Sequence, residues 1–201
     1  MRARAFVVVA CLALVPAGCV LKHSAPARLY VLQAVAREPA AATGDAPRGV
    51  LGVQRVSVPA WMDRPEITAR TGRGEIVPDP LARWGEPITR GIQRVVTENL
   101  AALLPERHLV AAPFAASRTV DHRLDLAITE GARQADDTVL LEARWAILGP
   151  DGGVLVQGRS SHRTGVVATA EGVVSATSES LAVLSGEIAA AVRGLPPAVT
   201  P

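Results

Sequence analysis

The chain has 201 residues, of which 49% are hydrophobic and 20% are charged, and this fits one globular domain with short appendages. It carries 21 basic and 19 acidic residues, and two of the arginines, Arg2 and Arg4, lie in a segment that we expect to be removed. The remaining chain then has no net charge, which excludes nucleic acid as the main ligand and disfavours a polybasic membrane surface.

The N-terminal segment, residues 1–18, is typical of an export signal. Arg2 and Arg4 precede an apolar run over residues 5–15, which is about half of the roughly 20 residues that a transmembrane helix needs. Two small residues then stand directly before Cys19. We therefore predict that residues 1–18 form a signal peptide that is cleaved in front of this cysteine.

Cys19 and the small residues before it resemble the lipobox of bacterial lipoproteins, in which the cysteine receives lipid and becomes the mature N-terminus. Pro16 departs from that pattern, because an aliphatic residue usually stands three positions before the cysteine. The other interpretation, a disulfide with Cys11, would require the signal to stay attached. Acyl chains such as palmitate would hold the protein at a membrane. In the lipoproteins that this segment resembles, an aspartate directly after the cysteine is a signal for retention at the inner membrane. Val20 occupies this position, so the resemblance favours the outer membrane.

The first part of the mature chain is rich in strand signals. Residues 19–27 form a short polar tether, and a loop rich in Pro, Ala and Gly covers residues 38–49. Strands are predicted over residues 28–33, 50–58, 66–70 and 75–77. The second of these is expected to be buried on much of both sides, and the last two form a hairpin-like pair around Gly72 and Gly74.

The second part of the chain combines two helical periods with three long strands. Apolar residues recur at intervals of three and four over residues 87–105, and again from about residue 170 to residue 194, which predicts two amphipathic helices. Between them, alternating apolar residues predict strands over residues 120–128, 141–147 and 154–167.

This order of elements predicts an α+β fold, because strands and helices do not alternate as regular βαβ units. A Gly- and Pro-rich turn at residues 149–153 joins two of the long strands directly, which favours an antiparallel meander. We expect a largely antiparallel sheet with two amphipathic helices packed on one face. Residues 28–195 would form this single domain, and residues 196–201 a C-terminal tail.

No cluster in the sequence predicts catalysis, a metal or a cofactor. The four histidines are scattered and lack the spacing of a zinc motif, at His23, His108, His122 and His162. A meeting of His122 and His162 across neighbouring strands stays open. Residues 136–137 are interpreted as a solvated turn. A hydrolase that uses Ser160 or Ser161 with His122 is a formal alternative, and we expect no enzyme.

Two tryptophans stand in positions that a plain scaffold does not require. Trp61 lies with Arg64 in a loop bounded by prolines, and Trp84 precedes a helix. Loop tryptophans and arginines are typical interface anchors. The alternative is that both indoles cover the end of the core while Asp63 and Arg64 pair locally.

Six short motifs are similar to those of one family: residues 29–32 (LYVL), 56–59 (VSVP), 63–67 (DRPEI), 68–70 (TAR), 83–88 (RWGEPI) and 98–100 (ENL). They resemble the ABC-type transport auxiliary lipoproteins, the PqiC- or YmbA-like lipoproteins. The corresponding motif positions are Asp63, Arg64, Pro65, Arg70, Trp84, Glu86, Pro87 and Asn99. Gly85 departs from the family pattern, in which Ala or Ser is commoner.

The resemblance implies a non-enzymatic, lipid-anchored accessory subunit at the periplasmic face of the outer membrane. Its partner would be an MCE-domain protein of an intermembrane phospholipid transport system, and self-association fits this partnership because MCE proteins form rings. The residues expected to bind the partner are Trp61, Asp63, Arg64, Arg70, Trp84 and Glu86. The alternative function is a free-standing periplasmic lipid-binding carrier that holds an acyl chain between sheet and helices.

Overall fold

A computed structural model of the protein describes residues 25–36, 49–72, 74–115 and 119–195. The predicted signal peptide, Cys19, most of the loop over residues 38–49 and the C-terminal tail lie outside the described residues. In the part of the chain that is described, neither helix is both long and apolar enough to span a bilayer.

The described residues form eight β-strands and two α-helices. In chain order the elements are β1 (Arg28–Tyr30), β2 (Val50–Val53), β3 (Glu66–Arg70), β4 (Ile76–Trp84), α1 (Ile88–Leu103), β5 (His108–Ala111), β6 (His122–Arg133), β7 (Thr138–Leu148), β8 (Val154–Gly165) and α2 (Ala170–Arg193). The fold class is α+β, as predicted.

All eight strands belong to one sheet with β6 at its centre. On one side β6 pairs with β7, which pairs in turn with β8 at the edge. On the other side β6 pairs with β2 at its beginning, where Leu51 lies opposite His122, and with β3 at its end, where Ala69 lies opposite Arg133. Strand β5 continues the sheet beyond β2, and strands β4 and β1 continue it beyond β3.

The prediction of a largely antiparallel sheet was wrong, because the sheet is mixed. Among the described strands, β1 with β4, β2 with β5, β2 with β6 and β3 with β6 are parallel pairs, while β3–β4, β6–β7 and β7–β8 are antiparallel. Short turns, which the sequence shows, force neighbouring strands to be antiparallel. The parallel pairs join strands that are distant in the chain, so no local signal revealed them.

Both helices pack on the same face of the sheet. Helix α1 lies over β2 and β5, α2 lies over β7 and β8, and the two helices contact each other. The core lies between the sheet and the helices and contains fully buried side chains from both layers, including Leu100 of α1, Leu184 of α2 and Leu124 of β6. Burial of a side chain of this kind contributes about 2 kcal/mol, so this interface dominates the stability of the fold.

The two helices and the three long strands are confirmed, whereas several shorter strands differ from the prediction. Strand β1 ends at Tyr30, although a strand was predicted over residues 28–33. Strand β4 is longer than predicted because it continues through Pro78 and Pro80, which normally argue against a strand. Strand β5 has four residues and was not predicted. Strand β2 is shorter than expected but is buried on both sides, and the chain beyond it runs beside β6, with Ser57 bridging to Ala127.

A segment over residues 31–36, which we call the strap, follows β1 and crosses both helices. Its anchor is Leu32, which is 1% exposed. Its backbone is held by three polar side chains of the helices: Arg94 donates to the Leu32 carbonyl at 2.9 Å, Ser178 accepts from Gln33 N–H at 3.1 Å, and Asn99 accepts from Ala36 N–H at 3.0 Å. Since these bonds satisfy main-chain groups away from any strand, the strap is fixed to the helical layer.

Candidate functional site

The loop that carries Trp61 and Arg64 is a tight turn bonded to the end of β4. The Pro59 carbonyl accepts from Met62 N–H at 2.8 Å, and Trp84 N–H donates to the Pro65 carbonyl at 2.7 Å. Met62 is buried and lies against Gly131, where a side-chain Cβ would collide with it. The loop is therefore held at both of its ends.

A cleft of about 360 Å³ lies between this loop and the beginning of α1. We call it the loop–helix cleft, and it is lined by Asp63, Arg64, Pro65, Trp84, Gly85, Glu86, Pro87 and Ile88. Four of the six residues predicted to bind a partner thus lie together, although twenty positions separate the two groups in the chain: Asp63, Arg64, Trp84 and Glu86.

Charged groups at one wall of the cleft are linked by ion pairs. Arg64 Nε donates to Glu66 at 3.1 Å, and Arg83 approaches the other oxygen of Glu66 at 3.7 Å. The hydrogen bond from Arg64 is the main cause that lowers the pKa of Glu66. Asp63 is exposed and makes no ion pair or side-chain hydrogen bond within the described ranges. A local pair of Asp63 with Arg64 was the alternative interpretation of this loop, and in the described structure Arg64 pairs with Glu66 instead.

Glu86, at the other wall, connects the cleft to the strap. It accepts from the guanidinium of Arg94 at 2.7 Å, and the same guanidinium holds the Leu32 carbonyl and approaches Glu98 at 3.3 Å. The hydrogen bond to Glu86 raises the pKa of Arg94. Glu86 therefore has a positioning role inside the fold, in addition to its place in the cleft. The sequence does not indicate Arg94 as a partner of Glu86, because eight positions separate the two residues and no simple periodicity joins them.

Trp61 and Arg70 do not line the cleft, although both were predicted to bind the partner with the other four residues. The Arg70 guanidinium lies over the Trp61 ring, 5.8 Å from its centroid, and forms a hydrogen-bonded ion pair with Glu130. Glu130 is 5% exposed, so this pair compensates a buried charge. Trp61 and Trp84 are both half-buried and pack against the core, while Trp84 also faces the cleft.

Ser160 and His162 are not arranged as members of a catalytic triad. Ser160 accepts from Trp145 Nε1 at 3.1 Å and donates to Glu187, and Glu187 lies 3.4 Å from His162. The carboxylate thus stands between the serine and the histidine, whereas a triad needs the histidine next to the nucleophile. Asp136 is exposed in the turn between β7 and β6, as expected for the pair at residues 136–137. Within the described chain, no group of three or more acidic, histidine or cysteine residues could hold a metal ion.

His122 lies apart from His162, at the beginning of β6. It is 4% exposed, and its Nδ1 lies 3.3 Å from the guanidinium of Arg107. Arginine can only donate, so Nδ1 is the acceptor and the neutral ring carries its proton on Nε2. Burial, together with the charge of Arg107, lowers the pKa of His122 from its ordinary value of 6.5. Asp121 instead accepts from Val50 N–H at 2.6 Å.

The lowered pKa of His122 predicts that acid destabilises the protein. Below pH 6.5 the unfolded chain binds a proton that the folded chain does not, so the free energy of unfolding falls until the folded-state pKa is reached. We expect His122→Asn, whose amide oxygen can still accept from Arg107, to lose this part of the pH dependence. Urea unfolding at about pH 7.5 and about pH 5.5 measures the difference from wild type, and an identical slope in the variant would contradict the assignment.

Comparison with known proteins identifies the class and then the family. The described chain is an α+β domain with a peripheral cleft between the Trp61 loop and α1. The family model described as "ABC-type transport auxiliary lipoprotein component" matches residues 30–189. The chain belongs to this family, whose members are lipoproteins that assist a transport system. No curated protein sequence matches the chain.

Solved structures support the fold assignment. A crystal structure of an uncharacterized protein aligns with a TM-score of 0.69 and 16% identity, over 83% of this chain and 99% of that one. A Xanthomonas campestris protein of the DUF330 family aligns with a TM-score of 0.68 and 16% identity, over 83% and 94%. The PelC dodecamer from Paraburkholderia phytofirmans is more distant, with a TM-score of 0.43 and 14% identity over 78% and 94%.

Proposed function

We propose that the protein is a non-enzymatic subunit of an MCE-type intermembrane phospholipid transport system, anchored in the outer membrane through Cys19 and docking the MCE protein on its periplasmic side. The observation that carries this proposal is the match to the transport auxiliary lipoproteins over residues 30–189, together with the cleft in which their motif residues meet. The partner contacts would be made by Asp63, Arg64 and Trp84.

The loop–helix cleft has the chemistry of a docking site. It combines an aromatic ring, prolines and an unpaired carboxylate, and it is held rigid by bonds to β4 and the strap. Preorganised aromatic and charged groups are the residues that carry most of the energy in protein interfaces. Arg70 and Glu86 would act indirectly, because each already has an intramolecular partner. Trp61 would support the loop beneath Arg70.

The alternative function, a free-standing carrier with an acyl chain between sheet and helices, has less support. A cavity in that layer of the described structure, next to Met62, Ile67 and Leu141, has a volume of about 10 Å³. This is room for about one water molecule, whereas ligand pockets typically hold several hundred Å³. Self-association of the protein is compatible with docking. Several copies would then contact the repeated subunits of a ring-shaped MCE partner.

Capture of the partner tests the proposal. We expect tagged full-length protein, isolated from gently solubilised native membranes, to bring an MCE protein with it in stoichiometric amount. Asp63→Arg should lower the amount of recovered MCE protein at least about tenfold. The substitution reverses the charge at this position, so the arginine would be repelled by a cationic group of the partner or would be buried without a counter-charge. Mass spectrometry of the eluate measures the ratio of the two proteins.

A matched variant controls for a general charge effect. Glu179 is an exposed carboxylate on α2, away from the cleft, and Glu179→Arg should leave the recovery unchanged. If the anchored wild-type protein brings no MCE protein, the proposed function is wrong. If both variants bind as wild type does, the cleft is not the docking site.

A further inference from the structure

The face of the sheet opposite the helices carries a groove of about 690 Å³. Its floor contains the small side chains of Ala127 and Ala146, on β6 and β7. Its walls are formed by Arg144 of β7, Arg159 of β8 and Arg55, which follows β2. We call it the arginine groove, and it shares no residue with the loop–helix cleft.

The three arginines of the groove have no partners inside the protein. Arg55, Arg144 and Arg159 are exposed, and within the described ranges none of them makes an ion pair or a hydrogen bond through its side chain. Four other arginines of the sheet, Arg70, Arg83, Arg133 and Arg163, form ion pairs; that of Arg163 of β8 is with Asp136 at 2.9 Å. The carboxylate of Asp125 also lines the groove and leaves it with an excess of positive charge.

Two of these charges oppose each other across the strands. Arg144 lies directly opposite Arg159 in the antiparallel register of β7 and β8. Like charges in that position destabilise a sheet, by a few tenths of a kcal/mol to about 1 kcal/mol. The arrangement is unfavourable for the isolated domain and becomes favourable when a negatively charged partner lies between the guanidinium groups.

The groove is adjacent to an unpaired sheet edge. Strand β8 has 12 residues, and among the described strands it pairs only with β7. Its outer main-chain groups are therefore available to another strand. An extended segment added at this edge would point alternate side chains to the face where Arg159 lies. A flat bilayer fits a concave groove less well than a single extended chain does.

We propose that the arginine groove and the free edge of β8 bind an extended acidic segment of a partner protein, in which Asp or Glu alternates with other residues. Carboxylates of the segment would form ion pairs with Arg159 and Arg144, and its backbone would pair with β8. The inference does not require that the partner be an MCE protein, since it rests on the charge and the edge alone.

Binding of a labelled peptide to the full-length protein in detergent tests this. The probe is fluorescein-labelled (Glu-Thr)6, with (Gln-Thr)6 as the neutral control. We expect the fluorescence anisotropy of the acidic peptide to rise to saturation as protein is added, and its affinity to fall with increasing salt. Amide hydrogen exchange in β8 should be slower when the peptide is bound. Arg144→Glu with Arg159→Glu should weaken binding at least about tenfold. Arg28→Glu, an exposed change on β1 at a distant edge, should not.

Each other outcome would overturn the proposal. The proposal is wrong if the acidic peptide does not bind, or if the double variant binds it as well as wild type does. It is also wrong if the peptide binds but amide hydrogen exchange in β8 is not slowed. Phosphatidylglycerol vesicles are tested in parallel, and binding of vesicles but not of the peptide would replace the acidic segment by a membrane surface. Thermal melting of the Arg144→Glu, Arg159→Glu double variant, which should stay close to that of wild type, shows that its loss of binding does not come from unfolding.

Discussion

Leu32→Ala is expected to lower the free energy of unfolding by about 3 kcal/mol, which is a large fraction of the stability of a domain of this size. Leu32 is 1% exposed and is the apolar anchor of the strap on the two helices. Its truncation leaves a cavity and weakens the strap, whose remaining links are the bonds to Arg94, Ser178 and Asn99. Urea unfolding followed by circular dichroism measures the loss.

The neighbouring residue provides the matched control. Val31 lies in the same strap but is 44% exposed, so Val31→Ala should change the free energy of unfolding by no more than about 0.5 kcal/mol. Similar losses in the two variants would mean that the strap does not pack through Leu32. A normal stability in Leu32→Ala would show that the strap is not part of the cooperative unit.

Arg70→Met is expected to destabilise the protein by about 2 kcal/mol. It leaves the buried carboxylate of Glu130 without its cation and removes the guanidinium that lies over Trp61. Breaking a fully buried ion pair costs more than this, but the side chain of Arg70 is 39% exposed, and solvent weakens the interaction. Denaturant unfolding of the purified variant measures the change.

A double substitution separates the ion pair from other effects of Arg70. Glu130→Gln removes the buried charge, so Arg70→Met combined with Glu130→Gln should regain about half or more of the lost stability. Additive losses would contradict the pairing. The stable double variant then allows a direct measurement of partner capture, in which a further loss of binding would give Arg70 a contact with the partner as well.

The helices and the long strands could be predicted because their signals are local. The apolar stripe of α1 at Ile88, Ile92 and Val95 is fully buried, and β7 places Leu141 and Ala143 towards the helices while Arg144 points away, as the alternation indicates. Strand β4 was underestimated because Pro78 and Pro80 disfavour strands locally, whereas pairing with β3 and β1 outweighs that preference.

The candidate site was predictable only in part. The resemblance indicated Asp63, Arg64, Trp84 and Glu86 without their geometry, and the fold places them around one cleft. It could not show that Arg70 faces Glu130, because this contact spans sixty positions and depends on the end of β3 reaching β6. The arginine groove was missed for the same reason, since it forms only when four separate segments of the chain meet.

Strand β1 determines where tension would enter the described part of the chain. A force on a chain held by lipid at Cys19 would act along β1. Strand β1 is parallel to β4, so this force would load their three register pairs, from Arg28 to Tyr30, in shear. All three pairs would then resist the force at the same time. Tyr30 accepts directly from Gly85 N–H in the wall of the loop–helix cleft. The load between a membrane and a partner docked in that cleft would follow this short path and would bypass β6, β7 and β8.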